Sequence, residues 1–402
     1  MKKKKFQKIE TIAAHAGLKP EENHGIVNPP VYHASTILSS SMKNYKDRTG
    51  KKYTYGRNGT PTSEALEKAI SDLYDADGCV LAPSGMSAIT NSFMGVLKSF
   101  DHALIPDCVY GSARRFVEEE FKRFQIAHDF YDSRDLSNLE SKIKKNTKII
   151  YLESPGSYTF EIIDINKVVK LAKKFKITTI IDNTWGTALY FNALKFGVDI
   201  VVEAITKYIG GHSDVMMGVT VCNKKHLNLI NRWKRNSGQC VGPDDIFLAL
   251  RGLRTLPLRL KQSQENSIKL AHFLTKQKEV KKVYHPALKE HPDHKLWKRD
   301  FSGACGIFGI EFEDYITSKM AEYFADNCLL FGKGASWGGY ESLMTMTDVK
   351  SNRTINTSYV PKGEYLRIYV GIENIEDILD DVRDAFTKMR KKLKEEPLPL
   401  QL

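Results

Sequence analysis

Lys207 follows a strongly apolar run through Val201, Val202 and Ile205 and precedes Gly210-Gly211-His212-Ser213-Asp214. A lysine normally keeps its ammonium in water. At the end of a buried strand it loses solvation, its pKa falls, and the free amine suits reversible C=N chemistry with a carbonyl group. Asp182 closes a second apolar run, Ile180-Ile181, ahead of Asn183-Thr184-Trp185. A carboxylate there either caps the next helix or faces a cationic group, because burial without a partner is costly. Between Ala82 and Ser87, Pro83-Ser84-Gly85-Met86 reads as a turn from strand into helix. Free N–H groups at a helix start attract a phosphate, although a glycine in such a turn also has a plain structural use. Asp107-Cys108-Val109-Tyr110-Gly111-Ser112 sets an aromatic ring on a loop, as core filler or as a plate for a flat group.

Together, an amine, an acid, a phosphate cradle and a flat ring are what pyridoxal 5'-phosphate requires: a lysine for its aldehyde and an acid for its pyridine nitrogen. The conjunction is far more specific than any member. In open α/β sheets ligands bind outside the carboxyl ends of strands, and each of the four features follows an apolar run.

The runs lie at 79–82, 103–105, 148–152, 177–181, 199–202 and 219–221, several separated by amphipathic stretches such as Val168-Val169-Lys170-Leu171-Ala172. This alternation of β-branched runs and helices predicts a mainly parallel sheet covered on both faces. A helix is expected from Thr60-Pro61, with Pro at the first helical position and Leu66, Ile70 and Leu73 on one face. After residue 245 the rhythm changes: a helix over 244–275 with a break near Pro257, runs at 280–284, 306–312 and 365–370, and helices near 317–327 and 374–393. The expected division is an N-terminal arm over 1–60, an α/β domain over 61–253 and a smaller α+β domain over 254–402.

The 402 residues carry 60 Lys and Arg against 48 Asp and Glu, a formal net charge of +12, with 42% apolar residues, which excludes a disordered chain. Lysines are spread along the chain, often beside acids, so no nucleic-acid partner is expected. No apolar run approaches the ~18 residues needed to cross a bilayer, so no membrane partner is expected either. Met1-Lys2-Lys3-Lys4-Lys5-Phe6 is basic but leads into a polar stretch rather than an apolar one, unlike a signal peptide. Cysteines at 79, 108, 222, 240, 305 and 328 form no Cys-x-x-Cys pair, and free thiols in a cytoplasmic chain are expected. His285, His291 and His294 are separated by Pro286 and Pro292, so no metal site is expected. His212 is expected to be a structural hydrogen-bonding residue.

On these motifs the chain resembles, over nearly its full length, the Cys/Met-metabolism family of pyridoxal-phosphate enzymes. Thr206-Lys207-Tyr208 with Gly211-His212-Ser213-Asp214 is similar to that family's cofactor-lysine signature. The stretches at 55–60, 152–157, 181–185, 297–301 and 336–342 resemble its β-lyase branch. Trp337 is the most telling, since the γ-synthase and γ-lyase branches usually carry Leu after the preceding Ser. The resemblance implies an α/β fold of the aspartate aminotransferase type (fold type I): a large, mostly parallel mixed sheet flanked by helices, plus a smaller C-terminal α+β domain. It implies that Lys207 carries the cofactor covalently and then moves protons, that Asp182 pairs with the pyridine nitrogen, and that Tyr110 stacks on the ring and shares in proton transfer. Backbone N–H groups of Gly85 and Met86 and the Thr206 hydroxyl would hold the phosphate. Tyr55 and Arg57 would reach the phosphate of a neighbouring subunit, in a homotetramer built as a dimer of dimers. Arg367 would clamp the α-carboxylate of an amino-acid substrate, with Ser336, Trp337 and Tyr340 shaping the pocket. The implied reaction is β-elimination of L-cystathionine to homocysteine, pyruvate and ammonia in methionine biosynthesis. There are two departures. Ala204 stands where many members have Ser, removing one hydroxyl donor to the phosphate, and Asn58 stands where some β-lyases have Arg.

Two other activities suit the same residues. A γ-lyase or γ-synthase shares Lys207, Asp182 and Arg367. Amino-acid racemisation, with alanine as a substrate, needs only a second acid such as Tyr110.

Overall fold

The structure is a computed structural model and describes residues 8–47, 49–355 and 359–395. The N-terminal part holds α1 (Ile9–His15), α2 (Met42–Lys46) and α3 (Pro61–Tyr74). Thr60 caps α3 in a capping box with Ser63, with Pro61 at the first helical position as expected. The α/β part then runs β1 (Gly78–Ala82), α4 (Gly85–Val96), β2 (His102–Pro106), α5 (Gly111–Arg123), β3 (Ala127–Tyr131), α6 (Leu136–Ser141) and β4 (Thr147–Glu153). It continues with α7 (Ile165–Phe175), β5 (Thr178–Asp182), α8 (Thr187–Tyr190), β6 (Ile200–Glu203), β7 (Gly218–Cys222) and α9 (Lys224–Asn236). After α10 (Pro243–Leu274) come β8 (Val280–Tyr284), α11 (His294–Asp300), β9 (Ile307–Phe312), α12 (Ser318–Asn327), β10 (Gly332–Lys333), β11 (Leu343–Met346), β12 (Tyr365–Tyr369) and α13 (Ile375–Glu395).

The first sheet has the order β1-β7-β6-β5-β4-β2-β3. Strands β3, β2, β4, β5 and β6 are parallel, and β7 is antiparallel to both β6 and β1. Alternate residues of one strand feed opposite cores. Ile181 and Val201 join Leu66, Ile70 and Leu253 on one face, while Ile180 and Val202 join Phe93 and Val117 on the other. The sheet is therefore covered on both sides, as near-continuous apolar strands require. The edge strand β3 escapes the apolar-run criterion because its sequence is Ala-His-Asp-Phe-Tyr and it is mostly half-buried.

The second sheet has the order β10-β11-β12-β9-β8, antiparallel except for the short β10–β11 pair. Phe308, Ile310, Leu366 and Ile368 pack there against Phe324 of α12 and Phe386 of α13. Helix α10 joins the two parts and does not break at Pro257. Proline removes one i→i−4 bond, but Leu253, Leu256 and Leu260 are all buried around it and keep the helix continuous. The residue 253/254 division falls inside this helix, whose first turns feed the first core and whose last, through Leu270 and Leu274, feed the second.

The segment before α3 is not wholly extended. Helix α1 packs on α10, where Arg254 Nη1 donates to the carbonyls of Ala13 at 2.8 Å and Ala16 at 2.9 Å. Beyond it Ile26, Val27, Leu38 and Met42 are exposed. Among the described residues no helix is long and apolar enough to cross a membrane.

Candidate active site

Lys207 lies in the turn that follows β6. Its Nζ donates to Ser336 Oγ at 2.7 Å and sits 5.5 Å from the centre of the Trp337 ring. Burial and then the Arg367 charge lower its pKa to about 8, with Asp182 pulling the other way. The loop carrying Ser336 and Trp337 can come this close because of Gly338. Its φ is +89°, and a Cβ there would stand 2.8 Å from Lys207 Cα. Trp337 is fixed edge-on against Tyr208, with ring centres 5.4 Å apart.

Asp182 is the last residue of β5, where it accepts the Thr184 N–H at 2.9 Å, and burial raises its pKa. Across the sheet it is in register with Glu153, the last residue of β4. Glu153 accepts the Tyr110 N–H at 2.7 Å, which seats the turn that carries the Tyr110 ring. That ring is exposed, ahead of α5. Arg367 projects from β12, its Nη2 held by the Ala335 carbonyl at 2.6 Å, and Tyr340 lies exposed beyond the same loop. The loop is pinned from below by Tyr369, whose hydroxyl donates to the Gly339 carbonyl at 2.7 Å.

Helix α4 begins after Ser84, whose Oγ accepts the Ser87 N–H at 3.0 Å. Gly85 and Met86 supply the first N–H groups of the helix, which precede its first internal bond and so point at whatever lies before it. Gly85 also permits close approach to the Lys207 turn, since a Cβ there would stand 2.7 Å from Ala204 Cβ. The Thr206 hydroxyl is already engaged: it donates to Met217 O at 3.1 Å and accepts Met217 N–H at 2.9 Å. A phosphate would draw on it only in exchange for that bond.

The arm residues lie elsewhere within the chain. Tyr55 meets Ser35 through their hydroxyls at 3.3 Å. Arg57 donates to the Arg235 carbonyl at 2.7 Å and lines a separate cavity of 260 Å³ with Tyr32, His33 and Lys234. His212 Nδ1 pairs with the Gly210 carbonyl at 2.8 Å, the structural role expected of it. His285 and His291 are buried and each is already hydrogen-bonded, to Ser267 and to Tyr359 respectively. One residue carries structure that no sequence motif marked. Arg259 of α10 donates to the carbonyls of Tyr208 at 2.8 Å and Gly252 at 2.7 Å, and so braces the turn after Lys207. Gly211 must be glycine beside it, since a Cβ would stand 1.8 Å from Arg259 Nη1.

The residues present suit pyridoxal phosphate: an amine of lowered pKa, an acid one strand away, unbonded helix-start N–H groups and an aromatic ring on the adjoining loop. A two-sheet α/β fold with this donor set at its strand ends defines a pyridoxal-phosphate-dependent enzyme of fold type I. The comparisons narrow the class. The family model described as "Cys/Met metabolism PLP-dependent enzyme" matches residues 10–387, and the chain belongs to that family. It is 37% identical to the cystathionine beta-lyase of Haemophilus influenzae, over 95% of this chain and 98% of that protein. It is also 37% identical to the L-alanine/L-glutamate racemase of Wolbachia pipientis, with the same shares covered. The crystal structure of cystathionine gamma synthase from Xanthomonas oryzae pv. oryzae in complex with aminoacrylate and cysteine superposes with a TM-score of 0.90 at 30% identity, over 96% of this chain and all of that one.

Proposed function

We propose that this enzyme is a C–S lyase that performs β-elimination on L-cystathionine, releasing homocysteine and a three-carbon enamine that water hydrolyses to pyruvate and ammonia. The observation that carries the reading is the convergence of Lys207, Ser336 and Trp337 beside Arg367 and Asp182. When bound, pyridoxal phosphate supplies an aldehyde that captures the substrate amine and a ring that accepts the electron pair left on Cα.

The chain's own residues do the rest. Arg367 takes the substrate α-carboxylate in a bidentate fork. Tyr110 would cover the ring face, Gly85 and Met86 would hold the phosphate, and Asp182 would keep the ring nitrogen protonated. Lys207 removes the Cα proton as an amine and returns a proton to the sulfur leaving Cβ. Ser336 holds Nζ in place, while Trp337 and Tyr340 wall the side where the homocysteine half departs. Tyr55 and Arg57 of a second copy complete the phosphate site in a dimer, two of which form the tetramer. The arm over 1–60 serves that contact, 61–253 the cofactor and 254–402 the substrate carboxylate, in a cytoplasmic enzyme of methionine biosynthesis.

The test is a product assay. Purified protein loaded with pyridoxal phosphate should be yellow, lose its colour with borohydride, and convert L-cystathionine to pyruvate and homocysteine. Formation of 2-oxobutyrate instead would assign the chain to the γ-elimination branch. Racemisation is a second reading, favoured by the Wolbachia relative and by the exposed Tyr110 ring, which can return a proton to the opposite face of Cα. D-Alanine formed from L-alanine faster than pyruvate from cystathionine would put racemisation first.

A further inference from the structure

Glu153 is a residue to which neither the sequence motifs nor the mechanism assigns work, yet it is buried between two groups that the mechanism does use. Its Oε2 accepts the Tyr110 N–H at 2.7 Å, and its Oε1 takes the Ser157 hydroxyl. Its neighbour across the sheet is Asp182. The groups facing it are Asp182 from β5, Tyr151 from its own strand, Tyr110, Cys108 and Ser157 from the adjoining loops, Tyr158, and Arg353 from the β11–β12 connection. Arg353 is committed elsewhere, to the carbonyls of Asp107 at 2.7 Å and Ser157 at 3.1 Å and to Glu161 at 3.3 Å.

A carboxylate beside a second carboxylate, with no cation hydrogen-bonded to either among the described residues, is costly when both are ionised. Burial first and then the Asp182 charge push the Glu153 carboxyl upward, against the Ser157 and Tyr110 hydrogen bonds and the Arg353 charge, which pull it down. Ser157 bears a hydroxyl, which can accept a hydrogen bond from the protonated acid as well as donate to the ionised one. The neutral acid keeps one free oxygen for the Tyr110 N–H, and that bond sets where α5 starts and hence where the ring stands.

We propose that Glu153 is a positioning residue that acts as a neutral acid, holding the Tyr110 turn so that the ring lies flat over the cofactor while leaving the local negative charge to Asp182. This rests on the pyridoxal-phosphate reading above and deepens it. It makes an unusual prediction about tolerance. If shape and neutrality matter, Glu153→Gln is the mild change and Glu153→Asp, which keeps the acid but withdraws it by one methylene from the Tyr110 N–H, is the severe one. If Glu153 worked as an anion, the order would reverse.

The experiment compares holoproteins of the wild type, Glu153→Gln and Glu153→Asp by two readouts. One is the visible circular dichroism of the bound cofactor, which reports the seating of its ring and needs no turnover. The other is kcat and KM for cystathionine. Glu153→Gln should keep the wild-type dichroism and a kcat within about twofold. Glu153→Asp should change the dichroic band and lower kcat about tenfold or more with KM nearly unchanged. Wild-type dichroism and kcat in Glu153→Asp would overturn the proposal. So would loss of either in a folded Glu153→Gln, a result that stands even if Glu153→Asp fails to fold. A wild type that binds the cofactor but yields no pyruvate sinks the elimination reading alone, and the dichroism comparison still decides Glu153.

Discussion

In the second sheet Glu279 is fully buried, and its two oxygens accept Arg390 Nε at 2.9 Å and Nη2 at 2.7 Å. Nearby, Glu311 collects the Tyr284 hydroxyl at 2.6 Å and the N–H groups of Lys362 at 2.9 Å and Gly363 at 3.1 Å. The first sheet treats its acids differently. Glu153, Asp182 and Glu203 end the adjacent strands β4, β5 and β6. Among the described residues their hydrogen bonds come only from hydroxyls and backbone N–H groups. Acids that serve only stability are given a cation or a full set of donors, at a point where nothing has to move. The strand-end acids of the first sheet, of which Asp182 feels the Lys207 charge, are left short of positive charge, which is the condition in which protons can be traded near neutral pH.

That contrast breaks first at Lys207. Lys207→Ala should lower turnover of cystathionine by at least about 10²–10⁴-fold, because it removes the amine that the proposed mechanism uses to move protons at Cα. Retention of more than a few per cent of the wild-type rate, with bound cofactor unchanged, would contradict the assignment. The matching cut in the second sheet should leave catalysis alone. Glu279→Ala strands the Arg390 guanidinium and should cost about 2–3 kcal/mol of unfolding free energy by denaturant titration, less than the ~3–5 kcal/mol of a fully buried pair because Arg390 is partly exposed. An effect on kcat larger than on stability would erase the distinction between the sheets.

How legible this was in the sequence follows from the same physics. The strand-end places of Lys207, Asp182, Gly85 and Tyr110 are readable because each ends or follows an apolar run, and a chemically odd residue at a strand end stands out. The inner strands were readable for the same reason, whereas β3, at the edge with His128 and Asp129, lacked the apolar run. Pro257 misled because local propensity yields to the burial of Leu253, Leu256 and Leu260. Arg259, Gly338 and the pairing of Glu153 with Tyr110 were not legible. Each matters through a contact between residues far apart in the chain, and no spacing rule reports that. The motif around Glu153 was visible, but its role depends on which oxygen meets which N–H.

Glu203 sharpens the contrast by a smaller amount. It is buried on the sheet face opposite Asp182, with the Tyr74 hydroxyl at 2.6 Å, and burial, aided by the Asp182 charge and opposed by Tyr74, pushes its pKa up to about 8. In the unfolded chain the same carboxyl ionises near its ordinary value of 4.5. Between those values the unfolded state binds fewer protons than the folded one, so stability falls as pH rises from about 4.5 to about 8. Glu203→Gln keeps an acceptor for Tyr74 and removes that fall. Its melting temperature should match the wild type near the acid end and exceed it progressively toward the alkaline end. A variant less stable than the wild type at the alkaline end would show that Glu203 is compensated after all, as the second-sheet acids are.

The smallest expected effect concerns Lys207 itself, and its sign can be worked out. Burial and the Arg367 charge bring its pKa from 10.5 to about 8. Only the unprotonated amine attacks an aldehyde. Covalent capture of pyridoxal phosphate by the apoprotein, followed by stopped-flow absorbance, should therefore rise about tenfold per pH unit well below that value and level off above it. An ordinary exposed lysine would keep accelerating through the next two units. Arg367→Leu removes a positive charge that favours the neutral amine, so it should move the levelling point to higher pH and slow capture at neutral pH. If the levelling point stays put in that variant, desolvation alone sets the amine. The β12 guanidinium then serves only the substrate carboxylate, and the second sheet contributes binding but no tuning to the chemistry of the first.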